Sequence, residues 1–137
     1  MSVQLEFVQD GLGVYFRCRG EVNVPQFLSA NEQLIAANSP AKKLKYAIVD
    51  LVGMNPMYVA PSEMETIVQQ DRQIAALIPG GLIVALVAEQ NVTYGLARMW
   101  EAFVAGINWE TQSFRAEAEA VAWVRERVKE RFKIEIA

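Results

Sequence analysis

Two short runs of apolar residues constrain this chain more than any other feature: YAIVDL at 46–51 and LIVALVA at 82–88. Neither alternates with polar residues, and each lies between segments of helical periodicity. A strand that is apolar on both faces must be covered on both faces. That is the situation of a central strand in a parallel sheet, with crossover helices above and below. A chain with two such strands is expected to wind helices around one largely parallel sheet, with right-handed connections.

The rest of the chain fits around these runs. Val3, Leu5 and Phe7 alternate with Gln4 and Glu6, a half-buried strand over 3–8. Asp10-Gly11 signals a turn, and 12–18 reads as the partner strand of an antiparallel hairpin. Asn23, Pro25 and Gln26 form a helix start, with Asn23 as cap and Gln26 closing the box. Phe27, Leu34 and Ile35 share a face with Asn31 and Asn38, and Ser39-Pro40 stops the helix. An irregular segment, 52–61, carries Gly53, Pro56 and Pro61. Ser62-Glu63-Met64-Glu65 reads as a capping box for a second helix striped by Met64, Ile67, Val68, Ile74, Ala75 and Ile78. Pro79-Gly80-Gly81 ends it. A third helix runs to about 105, capped by Asn91 or Thr93, with Leu96, Met99, Trp100, Phe103 and Val104 as its apolar residues. A short strand over 111–115 precedes a fourth helix over 116–131, with Val121, Val124, Val128 and Phe132 inward. Residues 133–136 alternate again, as a fraying tail or an added strand. The expected architecture is α/β: a single mixed, mostly parallel sheet in the order β-β-α-β-α-β-α-β-α, its first strand an antiparallel edge, in one domain over 1–137.

Composition narrows function mainly by exclusion. There is no histidine among 137 residues. That removes the usual general base near neutral pH, the serine and cysteine nucleophile systems built on it, and, with one cysteine, nearly every zinc site. No metal or other cofactor is expected, and the chain is not expected to be an enzyme. A formal charge of −3 gives no basic footprint for nucleic acid. The opening MSVQLEFVQD lacks a basic region before an apolar run, and the longest apolar run is too short for a transmembrane segment. With Cys18 alone no intramolecular disulfide forms, so a cytoplasmic protein is expected.

Several residues are candidates for function, each beside a structural explanation. Ser62 opens a helix after a buried strand, where an anion or a phosphoryl group is favoured; a helix cap, which Glu65 supports directly, is the reading that suffices to explain it. Asp50 ends a central strand, where α/β sheets bind ligands, but an acid there also accepts backbone N–H groups from the next loop. Met54, Met57 and Tyr58, with Pro56 and Val59, form an apolar stretch in a loop: a surface for a partner or a second copy, or a flap over the core. Asp71 interrupts an apolar helical stripe, with Arg98 as a possible partner or water as its outlet. Trp100, Trp109 and Trp123, with Tyr94 and Phe103, pack a core or line a ligand pocket. The alternating charges of 125–131 read as a solvated helix face.

The chain resembles the SpoIIAA-like family of small bacterial proteins, related in fold to STAS domains and to CRAL-TRIO lipid-binding domains. The resemblance covers nearly the whole sequence. It rests on Gly20 at the end of the second strand, the runs 46–51 and 82–87, Leu96-Ala97-Arg98, and Phe114 followed by EAVAW at 119–123. It implies a SpoIIAA/STAS-like fold. Ser62 is the nearest equivalent of the phosphorylatable serine of STAS regulators, although a long loop separates it from Asp50 and the short Asp-Ser pattern is absent. Together these readings point to a non-enzymatic regulatory or protein-interaction module, expected to form a homodimer or to bind another protein. The alternative is a carrier of a small apolar or lipid-like ligand.

Overall fold

The structure, a computed structural model, describes residues 2–37 and 43–136. The helix stop expected at Ser39-Pro40, and Asn38 with it, lies outside the described residues. The elements follow the expected order: β1 Ser2–Val8, β2 Gly13–Gly20, α1 Val24–Ala36, β3 Tyr46–Met54, α2 Pro61–Leu77, β4 Leu82–Val87, α3 Asn91–Phe103, β5 Trp109–Phe114 and α4 Glu117–Phe132. They build one five-stranded sheet in the order β1-β2-β3-β4-β5. The β1–β2 pair is antiparallel and every later pair is parallel. Val14, Ala47, Val84 and Thr111 stand in one row across the parallel strands.

Strand alternation divides the interior. Val14, Phe16, Cys18, Ala47, Leu51, Val84 and Leu86 face one way and pack on Ala30 of α1, Ile74 of α2 and Ala97 of α3. Tyr46, Ile48, Ile83, Ala85 and Val87 face the other way, onto Ala120, Val124 and Val128 of α4. Every residue of β4 is buried, as a strand covered on both faces requires. Three helices thus cover one face of the sheet, while α4 packs on β3, β4 and β5 on the other. This asymmetry positions both candidate sites described below.

The helix starts show which local signals govern. At α1 the capping box forms as expected. The Gln26 N–H donates to Asn23 Oδ1 at 3.0 Å, and the Asn23 N–H donates to Gln26 Oε1 at 2.9 Å. At α2 the start differs from expectation. Pro61 is the first helical residue, and Glu63 Oε1 accepts the N–H of Ala60 at 2.9 Å. Ser62 therefore stands inside the first turn and is not the cap; the fixed φ of Pro61 sets the entry two residues earlier, with Ala60 as the cap. Neither Asn91 nor Thr93 caps α3. The flanking residue is Gln90, the Thr93 hydroxyl donates back to its carbonyl at 3.0 Å, and Asn91 Oδ1 accepts from Arg115 at 2.8 Å. The tail 133–136 forms no strand; α4 ends on Lys133 in a left-handed conformation, and Ile136 packs into the α4-side core.

Candidate functional site

Two buried carboxylates organise the molecule, one on each side of the sheet. Asp71 lies on the inward face of α2 and is 5% exposed. Its partners come from the two flanking helices. The Trp100 Nε1–H of α3 donates to Asp71 Oδ2 at 2.9 Å, and Asn31 Nδ2 of α1 makes a long contact of 3.5 Å to Oδ1. Two expectations fail here. Asp71 does not reach water, and Arg98 is not its partner: Arg98 lies at the surface and pairs with Glu101 at 3.4 Å. Arg98 follows Ala97 by one residue, about 100° round the helix, and so points away from the inward face that carries Ala97 and Trp100. Burial pushes the Asp71 carboxyl up to about 7, and the hydrogen bonds from Trp100 and Asn31 oppose that shift only in part.

Asp71 and Asn31 are the polar members of an otherwise apolar wall. They border a cavity of about 100 Å³ between the sheet and α1–α3, walled by Phe16, Phe27, Leu86, Trp100 and Trp109 among others. The two tryptophan rings lie 6.2 Å apart and tilted. Trp109 keeps its Nε1–H buried without a protein acceptor, and so does Gln70 its Oε1 without a donor. A void of this size costs about 2 kcal/mol when nothing fills it, at roughly 24 cal/mol per Å³. An unpaired buried N–H costs about 1–3 kcal/mol more.

On the other side, Asp50 lies within β3 and is 2% exposed. It accepts from Arg19 at 2.8 Å and Arg17 at 3.1 Å, both on β2, and from the Val52 N–H, two residues on in β3, at 3.1 Å. Arg17 also reaches Glu6 of β1 at 3.2 Å and Glu117 of α4 at 3.5 Å, and stacks over the Tyr15 ring. Burial alone would raise the Asp50 carboxyl. The hydrogen bonds from Arg19, Val52 and Arg17 outweigh it and hold the group below the usual range. Gly53 takes part by its smallness: a Cβ there would meet the Arg19 side chain at 2.5 Å. Asp50 does accept a backbone N–H, but from Val52 within β3 and not from the loop that follows, and two arginines join it.

The remaining candidates scatter. Met54 is not in a loop; β3 runs on through it, pairing with Gly20 after an irregularity at Cys18, and its side chain is buried. Met57 is half-buried and packs against the core, while Tyr58 is 82% exposed. Ser62 is exposed on the first turn of α2. Cys18 is buried and its thiol is pushed up to about 12 by burial, beyond the reach of thiolate chemistry at neutral pH. Among the described residues no cluster of His, Cys, Asp or Glu could hold a metal ion, and no helix is long and apolar enough to cross a membrane. Sequence reasoning missed Arg17 and Arg19 altogether, and placed Asn31 on the face of Phe27 and Leu34 without giving it a role. Period-two alternation in β2 placed the two arginines on one face, which was the available signal.

No family model matches the sequence, and no curated protein matches it. Solved structures do match. One is an uncharacterised protein of the DUF3478 family with a SpoIIAA-like fold, from Shewanella loihica PV-4. It has a TM-score of 0.54 and 14% identity, covering 90% of this chain and 92% of that one. Another is the anti-sigma factor antagonist SpoIIAA in its unphosphorylated form. It has a TM-score of 0.52 and 20% identity, covering 90% of this chain and 98% of that one. The chain thus has a SpoIIAA-like α/β fold, and the resemblance read from its sequence is borne out at that level.

Proposed function

We propose that the protein is a non-catalytic regulatory module that works through protein contacts, a second copy of itself first among them. The observation that supports this most is the apolar surface at the carboxyl end of the parallel strands. Tyr58 is 82% exposed and Val92 59%, on the segments that follow β3 and β4, and Val52, near the end of β3 itself, is 41% exposed. Three of the four exposed large apolar side chains among the described residues lie toward this end, Phe7 on β1 being the fourth, and a contiguous exposed apolar patch on a small protein marks a contact surface. The fold likeness to an anti-sigma factor antagonist supports the same direction. Ser62, exposed nearby in sequence on the first turn of α2, is where a phosphoryl group would act on that surface.

Sedimentation velocity over a concentration series tests the reading, with Tyr58→Ser/Val92→Ser beside the parent. A reversible dimer is expected, weakened at least about tenfold in the double variant. A parent that stays monomeric throughout would contradict self-association.

A second reading, a carrier of a small apolar ligand, is favoured by the cavity that holds Asp71. Native mass spectrometry of protein purified from its own cells is expected to show a bound small molecule. A bare mass, together with no uptake of apolar probes, would contradict it.

A further inference from the structure

A neutral carboxyl and an ionised one need different neighbours, and Asp71 has those of the neutral form. An ionised carboxylate offers about four acceptor sites. The donors here are the Trp100 indole N–H at 2.9 Å and Asn31 Nδ2 at a long 3.5 Å, both uncharged. Among the described residues no cation faces Asp71 from any element packed around it. The charged residues within two positions of Asp71, Asn31 and Trp100 are Glu32, Arg72, Arg98 and Glu101. The first three are exposed, and Glu101 turns to Thr111 and Ser113 of β5. Tyr94 of α3 lies under the Arg115 guanidinium and does not line the cavity. Cys18 of β2 faces the same core, and its thiol, pushed up to about 12, stays neutral. The sheet otherwise presents apolar side chains such as Phe16, Val84 and Leu86. The ionised form of Asp71 therefore depends on water, and the protonated form does not.

The cavity that Asp71 borders measures about 100 Å³, of the order of the dry apolar cavities that admit benzene or xenon. Water hydrating an ionised Asp71 and an apolar occupant would compete for that one volume. We propose that the cavity binds a small neutral apolar molecule only while Asp71 carries its proton, and releases the molecule when that proton passes to solvent. The proposal rests on the ligand reading above and adds how binding is regulated. The coupling is reciprocal: an occupant that excludes water also holds the proton more tightly. The Asp71 midpoint is thus higher in the bound protein than in the free one. Binding is strongest below the free midpoint and is lost as pH rises through it.

Benzene is the probe, with binding followed by ¹H–¹⁵N spectra of the tryptophan indoles and protonation by the Asp71 carboxyl carbon. Its affinity is expected to fall about thirtyfold from about pH 6 to about pH 8.5, the loss given by a midpoint near 7 when only the protonated form binds. Saturating benzene should raise the Asp71 midpoint. Histidine, the usual source of a pH dependence in this window, is absent from the sequence. Asp71→Asn should bind benzene alike at both pH values. Equal affinity of the parent at both, with the Asp71 midpoint unmoved by benzene, would overturn the coupling and leave the ligand reading standing. A pH dependence that persists in Asp71→Asn would overturn the coupling too. No binding of benzene at either pH would overturn both. Should Asp71→Asn not fold, the midpoint of the parent with and without benzene decides alone.

Discussion

Asp50 and Asp71 are almost equally hidden from water, yet their surroundings drive them in opposite directions. Asp50 faces two arginines and a backbone N–H, and stays charged well into acid. Asp71 faces an indole and an amide, neither with a charge to offer, and its carboxyl rises to about 7. Burial is common to both; the charge of the donors decides the sign. The side of the sheet explains the donors. On the Asp50 side α4 leaves β1 and β2 open, so long arginine side chains lie across the strands with their heads partly in solvent. On the Asp71 side three helices close over the sheet, and among the described residues no cationic side chain lines the cavity. One carboxylate is part of the framework. The other borders an apolar cavity and costs stability at neutral pH, a pattern typical of sites kept for something other than folding.

The largest effect expected from breaking this contrast is at Asp50. Asp50→Ala leaves two arginines without their shared acceptor and frees the Val52 N–H, and is expected to lower stability by about 3 kcal/mol in denaturant unfolding. The native pKa of Asp50 lies below its unfolded value, so its contribution is complete above about pH 4 and is lost as pH falls through the native pKa. In Asp50→Ala the acid limb of the stability profile should flatten.

Asp71→Asn should do the reverse. Between about pH 4 and pH 7 the native protein holds a proton on Asp71 that the unfolded chain has released, so stability falls as pH rises across that window. Replacing the carboxyl by an amide removes the slope and is expected to stabilise the protein by about 2 kcal/mol at pH 8. An unchanged slope would show that Asp71 ionises freely in the native state. Smaller still is Trp109→Phe. Removing the unpartnered N–H offsets the lost ring area, so stability should stay within about 1 kcal/mol of the parent. Tyr58→Ser, at an exposed position on neither side of the contrast, should shift stability by no more than about 0.5 kcal/mol.

Much of this contrast was legible before any coordinates. The two double-sided strands announced a covered parallel sheet, and the position of Asp71 on an apolar helical stripe marked it as unusual. Its partners were not legible. Asn31 and Trp100 lie 40 and 29 residues away in sequence, and Arg17 and Arg19 reach Asp50 across 33 and 31. Such pairings follow from sheet order and helix placement, which no local pattern encodes. The start of α2 was misread for a local reason. Two overlapping windows, Ala60 to Glu63 and Ser62 to Glu65, both present an acid three residues after a possible cap, and Pro61 decides between them. Met54 was assigned to a loop because Gly53 looked like a break, whereas that glycine lets the Arg19 side chain cross the extended strand.

The most direct test of the contrast is a titration of the aspartate carboxyl carbons by ¹³C NMR, with Asp50 and Asp71 assigned by substitution. The account predicts that Asp71 titrates near 7 and that Asp50 titrates below the ordinary aspartate range. Two midpoints together near 4, the value of a carboxyl in water, would contradict it.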